Sequence, residues 1–198
     1  MKLLAFVDLH EDTKTLRELL FRAQEDDIDL IICAGDFSTF GRGMRNVLKA
    51  FSALGKEFLV IPGNHEERTG MMDIVQEYPH CHNLHEGTFE KAGYIFLGYG
   101  GNGFSMEDPH FRSVAREWYG KHKTKKIVLV THGSPFGTTL DLLGKRHVGN
   151  KDYRRFIERI HPRLVIAGHL HETAGAFDTI RKTRLVNPGW EGMVIELR

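Results

Sequence analysis

The side chains able to do chemistry in this 198-residue chain fall in five short blocks. They are Asp8-Leu9-His10, Gly35-Asp36, Gly63-Asn64-His65-Glu66, Thr131-His132 and Gly168-His169-Leu170-His171. Taken singly, most of these have an ordinary reading. Gly-Asp and Gly-Asn are turn dipeptides, and a lone His132 is a core histidine satisfied by a hydrogen bond. His169-Leu170-His171 says more, because alternate residues of an extended segment face the same way and two imidazoles so placed repel once protonated. As a set the blocks offer three carboxylate or amide oxygens (Asp8, Asp36, Asn64) and four imidazoles (His10, His132, His169, His171), with no thiolate. Such a mixed oxygen and nitrogen set suits borderline or hard divalent ions such as Mn, Fe, Zn or Ni. Seven donors are too many for one small ion. They suit two divalent metal ions per chain sharing one ligand, and a carboxylate is the side chain able to bridge.

Elements must bring these blocks together. Short aliphatic and β-branched runs at 2–7, 30–33, 58–61, 94–98, 127–131, 164–167 and 193–197 have strand length. Residues 12–25, 44–54 and 151–161 carry apolar side chains at helical spacing. The opening order β-α-β-α-β predicts a parallel start to a sheet. At 78–99 and 173–198 the helical period vanishes and Gly, Asn and Pro break short runs, which predicts antiparallel strands and hence a mixed sheet. All five donor blocks sit just past the carboxyl ends of predicted strands, where open α/β sheets bind ligands. No repeat or linker interrupts the chain, so one domain over residues 1–198 is expected. The longest loop-like stretches are 100–112 and 133–150, and loops of that length are more often functional than idle.

Composition narrows the function. Apolar residues make up 41% and charged residues 27%, which supports a full core and excludes disorder. Lys and Arg number 27 against 26 Asp and Glu, so no whole-molecule field draws a polyanion, and the basic run 121–126 reads as a solubilising edge before a strand. Cys33 and Cys81 cannot make a disulfide framework, the N-terminus turns acidic too early for a signal peptide, and no apolar run approaches the roughly 20 residues of a membrane span. A cytoplasmic protein is expected. His80, His82 and His85 cluster beside Cys81 in a strand-like segment away from the five blocks, so zinc binding is not expected there. In the loop 100–112, Phe104, Phe111 and Arg112 could wall a pocket, although anchoring of both rings in the core is the favoured reading. Arg42, Arg68, Lys145, Arg146 and His147 lie near the motifs and could reach a second phosphate; for most of them a solvated charge is the better reading.

In order and type, the five blocks resemble the calcineurin-like metallophosphoesterase superfamily, whose pattern is Asp-x-His, Gly-Asp, Gly-Asn-His-Asp/Glu, His and Gly-His-x-His. The flanking text from Thr131 to Thr138, then Leu140-Asp141, His147-Val148-Gly149 and Asn187-Pro188-Gly189, looks like the small branch related to cyclic-nucleotide phosphodiesterases. The resemblance implies an α/β (α+β) fold, a four-layer α-β-β-α sandwich of two mixed sheets flanked by helices. It also implies that Asp8, His10 and His171 hold a first metal, that Asn64, His132 and His169 hold a second, and that Asp36 bridges them. His65 would face the substrate. Two departures lie beside the pocket: Glu11 stands where many members have a small residue, and Gly133-Ser134 replaces a variable-Pro pair.

The chemistry implied is attack on phosphorus by a hydroxide shared between two cations, with His65 protonating or stabilising the leaving alkoxide; Glu66 either orients His65 or a ligand or is an exposed turn carboxylate, the two readings standing level. The expected substrate is a small phosphate ester, a phosphodiester or a nucleotide rather than a protein, with polynucleotide not favoured. A non-catalytic binding scaffold and a nuclease stand as alternatives, and oligomeric state is left open.

Overall fold

The computed structural model describes residues 1–101 and 103–198. One sheet has the order β13-β1-β2-β3-β4, built from Met193–Glu196, Lys2–Phe6, Leu30–Cys33, Phe58–Val60 and Cys81–Asn83. Strands β1 to β4 run parallel and β13 closes the edge antiparallel to β1. The second sheet has the order β11-β12-β10-β7-β6-β5, from Phe177–Ile180, Thr183–Val186, Leu164–Ile166, Lys126–Thr131, Tyr94–Tyr99 and Thr88–Lys91. Its middle four strands are parallel and both edges antiparallel.

Helices α1 (Thr13–Ala23), α2 (Met44–Ser52) and α3 (Met71–Val75) pack on the first sheet, and α4 (Pro109–His122) and α5 (Lys151–Ile160) on the second. Alternation along the strands divides the apolar residues among three cores. Leu3, Ala5 and Val7 of the first sheet meet Phe96, Val128 and Ile166 of the second between the sheets. Leu4 and Phe6 turn outward to α1 and α2, while Leu97, Leu129 and Val165 turn to α4 and α5. Three apolar layers between four structural layers make the expected α-β-β-α sandwich. The inner strands are buried on both faces, which is why they read as continuous apolar runs.

Three expectations are corrected. Strand β4 is parallel to β3, not antiparallel, because α3 intervenes as a crossover; at five residues it is too short to show a helical period. The stretch 100–112 is not all loop. Asp108 accepts a hydrogen bond from the Phe111 amide at 2.9 Å and caps α4, whose first residue, Pro109, has no N–H to leave unpaired. The basic run 121–126 therefore ends α4 and enters β7, a central strand, so it guards no sheet edge. Within 133–150 the chain forms a short 3-10 turn (Thr139–Asp141) and a small hairpin of β8 (Leu142–Leu143) and β9 (Arg146–His147). No helix among the described residues is long and apolar enough to cross a membrane.

Candidate metal centre

The loops that leave β1, β2, β3, β7 and β10 meet at one rim of the sandwich. Their backbones are tied directly: the Asp8 amide donates to the Gly35 carbonyl at 3.1 Å, the His10 amide to the Asp36 carbonyl at 3.0 Å, and the Gly168 amide to the His132 carbonyl at 2.8 Å. Space at the crossing is so tight that a Cβ on Gly63 would stand 2.0 Å from Asp36 Oδ1. Strain accumulates here as well. Asp8, His10, Glu11, Asp36 and His169 all take positive φ, a conformation that L side chains adopt only when the surroundings impose it.

The convergence produces three overlapping groups of donor atoms, each group lying within 4.8 Å: Asp8, His10 and His171; His10, Asp36 and His65; Asp36, His132 and His169. Asn64 joins the third, with its Oδ1 3.2 Å from His132 Nε2. The His10 and His171 Nε2 atoms are 3.3 Å apart, and His132 Nε2 is 3.5 Å from Asp36 Oδ2. His132 Nδ1 faces the Ala34 carbonyl at 2.9 Å, which can only accept, so the proton sits on Nδ1 and Nε2 is left as a donor to a cation.

Protonation in this cluster is governed by burial and mutual charge. Burial pushes Asp8 up to about 6, against the pull of His132. Burial would also raise Asp36, but the hydrogen bond and charge of His132 outweigh it and hold that carboxyl at about 2. Burial opposes the charge on fully buried His132 as well, and its bond to Asp36 overcomes this and holds it at about 9. His169 is lowered to about 4 by burial and by the charge of His132, and burial lowers His10 too.

A second observation fits these groups as places that could hold metal. Five buried side-chain polar atoms among the described residues find no hydrogen-bond partner, and three of them, Asp8 Oδ1, His65 Nδ1 and His169 Nε2, belong to this cluster. Orphans concentrated at one point mark a place where a ligand supplies the missing partner.

Around the donors the structure sorts the remaining candidates. Glu66 is buried and accepts four hydrogen bonds: from the amides of Asp36 and Gly63 at 2.9 Å, from the Ser38 amide at 3.0 Å and from Ser38 Oγ at 2.6 Å. It is buried rather than an exposed turn carboxylate, it braces the β2 loop, including the Asp36 backbone, against the β3 loop, and none of these four bonds goes to the His65 ring. The His65 amide instead donates to Asp36 Oδ1 at 2.9 Å. Phe111 is in the core, whereas Phe104 is exposed with its ring centroid 4.3 Å from that of His169. Arg112 faces Asp152 at 3.6 Å, and His147 Nδ1 lies 2.8 Å from buried Asp141 Oδ1; neither is in the donor groups. His80 and His82 both face Glu57, while His85 and His110 face Glu86. Sequence reading overlooked Ser38, Phe40 and Trp190. Phe40 stacks on His65 at 4.2 Å, and Trp190 stands edge-on to His171 at 6.0 Å. Their only advance signal was an aromatic or hydroxyl in a loop next to a motif.

The chain is similar to known proteins in sequence or in fold. The uncharacterized protein MJ1162 of Methanocaldococcus jannaschii is 28% identical over 201 residues, covering 95% of this chain and 88% of its own length. The crystal structure of TT1561 of Thermus thermophilus superposes with a TM-score of 0.77 at 17% identity, over 95% of this chain and 88% of that one. A structure described as a novel archaeal phosphodiesterase gives a TM-score of 0.58 at 18% identity, over 96% and 84%. At these identities the two structures establish the fold. The sequence profile of the calcineurin-like phosphoesterases matches residues 1–173, a span that takes in every donor loop, and the chain belongs to that family.

Proposed function

We propose that this protein is a dinuclear metal-dependent phosphoesterase acting on a small phosphodiester or nucleotide. The observation that carries the reading is the convergence of seven donors with Asp8 Oδ1 and His169 Nε2 buried and unpartnered. In this reading Asp8, His10 and His171 hold one cation, Asn64, His132 and His169 the other, and Asp36 lies between them. Bound divalent cations supply Lewis acidity for the phosphoryl oxygens and make water a nucleophile near neutral pH.

The chain's own groups do the rest. The Ala34 carbonyl and the Asp36 side chain keep His132 in one tautomer and orientation. Asp36 also receives the His65 amide, which fixes the turn that presents the His65 ring beside His10, with centroids 4.6 Å apart. An imidazole N–H of His65 gives its proton to the departing ester oxygen, a step worth roughly 100- to 10,000-fold. The Glu66 brace keeps the β2 and β3 loops at fixed separation, so that His65 and Asp36 meet the same phosphoryl group.

Purified protein should carry about two transition-metal equivalents per chain by elemental analysis. It should hydrolyse an aryl phosphodiester, with Asp36→Asn and His65→Ala each losing at least about 100-fold in kcat. Undiminished turnover in both variants, or a protein that takes up no metal under any loading, would overturn this function.

A further inference from the structure

Phe40 occupies a place that suits it badly. Thr39-Phe40-Gly41-Arg42 forms a two-residue hairpin in which the Thr39 and Arg42 amides each donate to the other's carbonyl, at 3.2 and 3.0 Å. Both central residues are left-handed, with φ 52 at Phe40 and φ 84 at Gly41. Turns of this kind favour Asn, Asp or Gly, and a bulky aromatic ring there is an outlier. The ring gains no burial in return, being 72% exposed. What it does have is His65, stacked at 4.2 Å with the planes 16° apart.

The turn is held firmly in that pose. Thr39 Oγ1 donates to the His10 carbonyl at 3.3 Å, the Gly41 amide to Ser38 Oγ at 3.2 Å, and Arg42 Nε to Glu11 Oε1 at 2.6 Å. Glu11 passes across Gly43 so closely that a Cβ there would stand 2.4 Å from its Oε2. Glu11, through Arg42, thus clamps the Phe40 turn. Two other exposed rings stand edge-on to donor imidazoles: Phe104, 61% exposed, to His169, and Trp190, 38% exposed, to His171. The cation on the Phe40 turn, Arg42, is already committed to Glu11.

We propose that Phe40 positions His65 towards the leaving group, and that Phe40, Phe104 and Trp190 form an aromatic rim selecting phosphodiesters that carry a flat aromatic or heteroaromatic group. The inference rests on the phosphoesterase reading above. In the reaction, water adds to phosphorus, the P–O ester bond breaks, the leaving oxygen takes a proton from His65, and the proton shed by water restores it. Stacking fixes the plane of the His65 ring, and a planar substituent finds rings to lie along, while the single charge of a diester needs no second cation.

Manganese-loaded protein is assayed with diphenyl phosphate, bis(para-nitrophenyl) phosphate and methyl para-nitrophenyl phosphate. Phe40→Asn should lower kcat on diphenyl phosphate about tenfold, and less on the nitrophenyl diester, whose better leaving group has less need of a proton. It should cause no further loss in a His65→Ala background, and Phe40→Tyr should restore the rate. Phe104→Ala should raise KM more for the bis-aryl ester, which has a second ring to lie against the rim, than for the methyl ester, which has one. Phe40→Asn should melt no lower than the parent, since it relieves a strained backbone. In zinc-loaded protein, whatever its turnover, Phe40→Asn should move the His65 ring protons downfield in the NMR spectrum by removing the ring current. Additive losses, equal KM changes for both esters, or unmoved His65 resonances overturn the proposal. Inactivity of the parent on all three esters would instead strike at the phosphoesterase reading, and the resonance test would still decide whether Phe40 holds His65.

Discussion

At the scale of single residues, Glu66 shows how much one buried carboxylate can organise. Burial raises its pKa while the Ser38 hydroxyl pulls the other way, and its four hydrogen bonds satisfy three backbone amides in loops that carry donors. Replacing it with Ala strands those amides away from water. Glu66→Ala should therefore cost about 3 kcal/mol and lower the melting temperature by roughly 6–12 °C. Glu66→Gln, which keeps an acceptor, should cost less. Calorimetry finding Glu66→Ala as stable as the parent would show that the two loops hold without it. The Gly-Asn-His-Glu run was plain in the sequence, but its last residue read as a group orienting His65 or a ligand, or as an exposed turn carboxylate. Only the fold shows that its oxygens point at backbone, because the β2 loop lies about 30 residues away along the chain. His147 is a similar case: its neighbour in space is Asp141, a buried carboxylate that also accepts from the Gly137, Thr138 and Gly149 amides.

Among the elements, helices were legible where a clear apolar period survives, and neither length nor a good cap was enough without one. In α1 and α5 apolar side chains recur at helical spacing behind capping residues: Asp12 accepts from the Thr15 amide at 2.7 Å, and Asn150 from those of Asp152 and Tyr153. Helix α4 has an equally good start in Asp108-Pro109, yet its first turn falls in the stretch 100–112 that reads as loop, and its polar face dilutes the pattern. Its cap does double duty, since Tyr99 donates to Asp108 Oδ2 at 2.9 Å. Asp108→Ala should accordingly cost about 2 kcal/mol, the high end for a lost cap, and Asp108→Asn markedly less. Urea unfolding of the two variants decides this; equal midpoints for both and for the parent would remove the cap from the account. Strand direction was less readable still. Strand β4 has three residues, and nothing in them says whether the chain has crossed over before pairing with β3.

For the whole molecule, the His/Asp cluster couples protons to stability, and under the proposed function it couples metal to both. In metal-free protein the His132–Asp36 pair is an internal salt link. Because His132 is held above its ordinary 6.5, at about 9, the stability it contributes is fully present below 6.5 and lost as pH rises through 9. Asp36, held at about 2, contributes above its ordinary 3.8 and loses that contribution only as pH falls through 2. Cations compete with the proton on His132 and so bind better as pH rises. The melting-temperature gap between metal-loaded and chelated protein should therefore widen from pH 6.5 to 9, by an amount that grows with free metal. A gap that stays constant or narrows would show that His132 is not a ligand. The order of the donor loops and the place of the candidate donors at strand ends were legible in the sequence by itself, because strand-length apolar runs and the residues at their carboxyl ends are local properties; the four-layer fold was implied by the resemblance those blocks carry. The tertiary structure alone decided that Glu66 braces backbone and that Phe40 lies on His65. Those relations join residues brought together by crossovers and loop crossings, and no local periodicity records them.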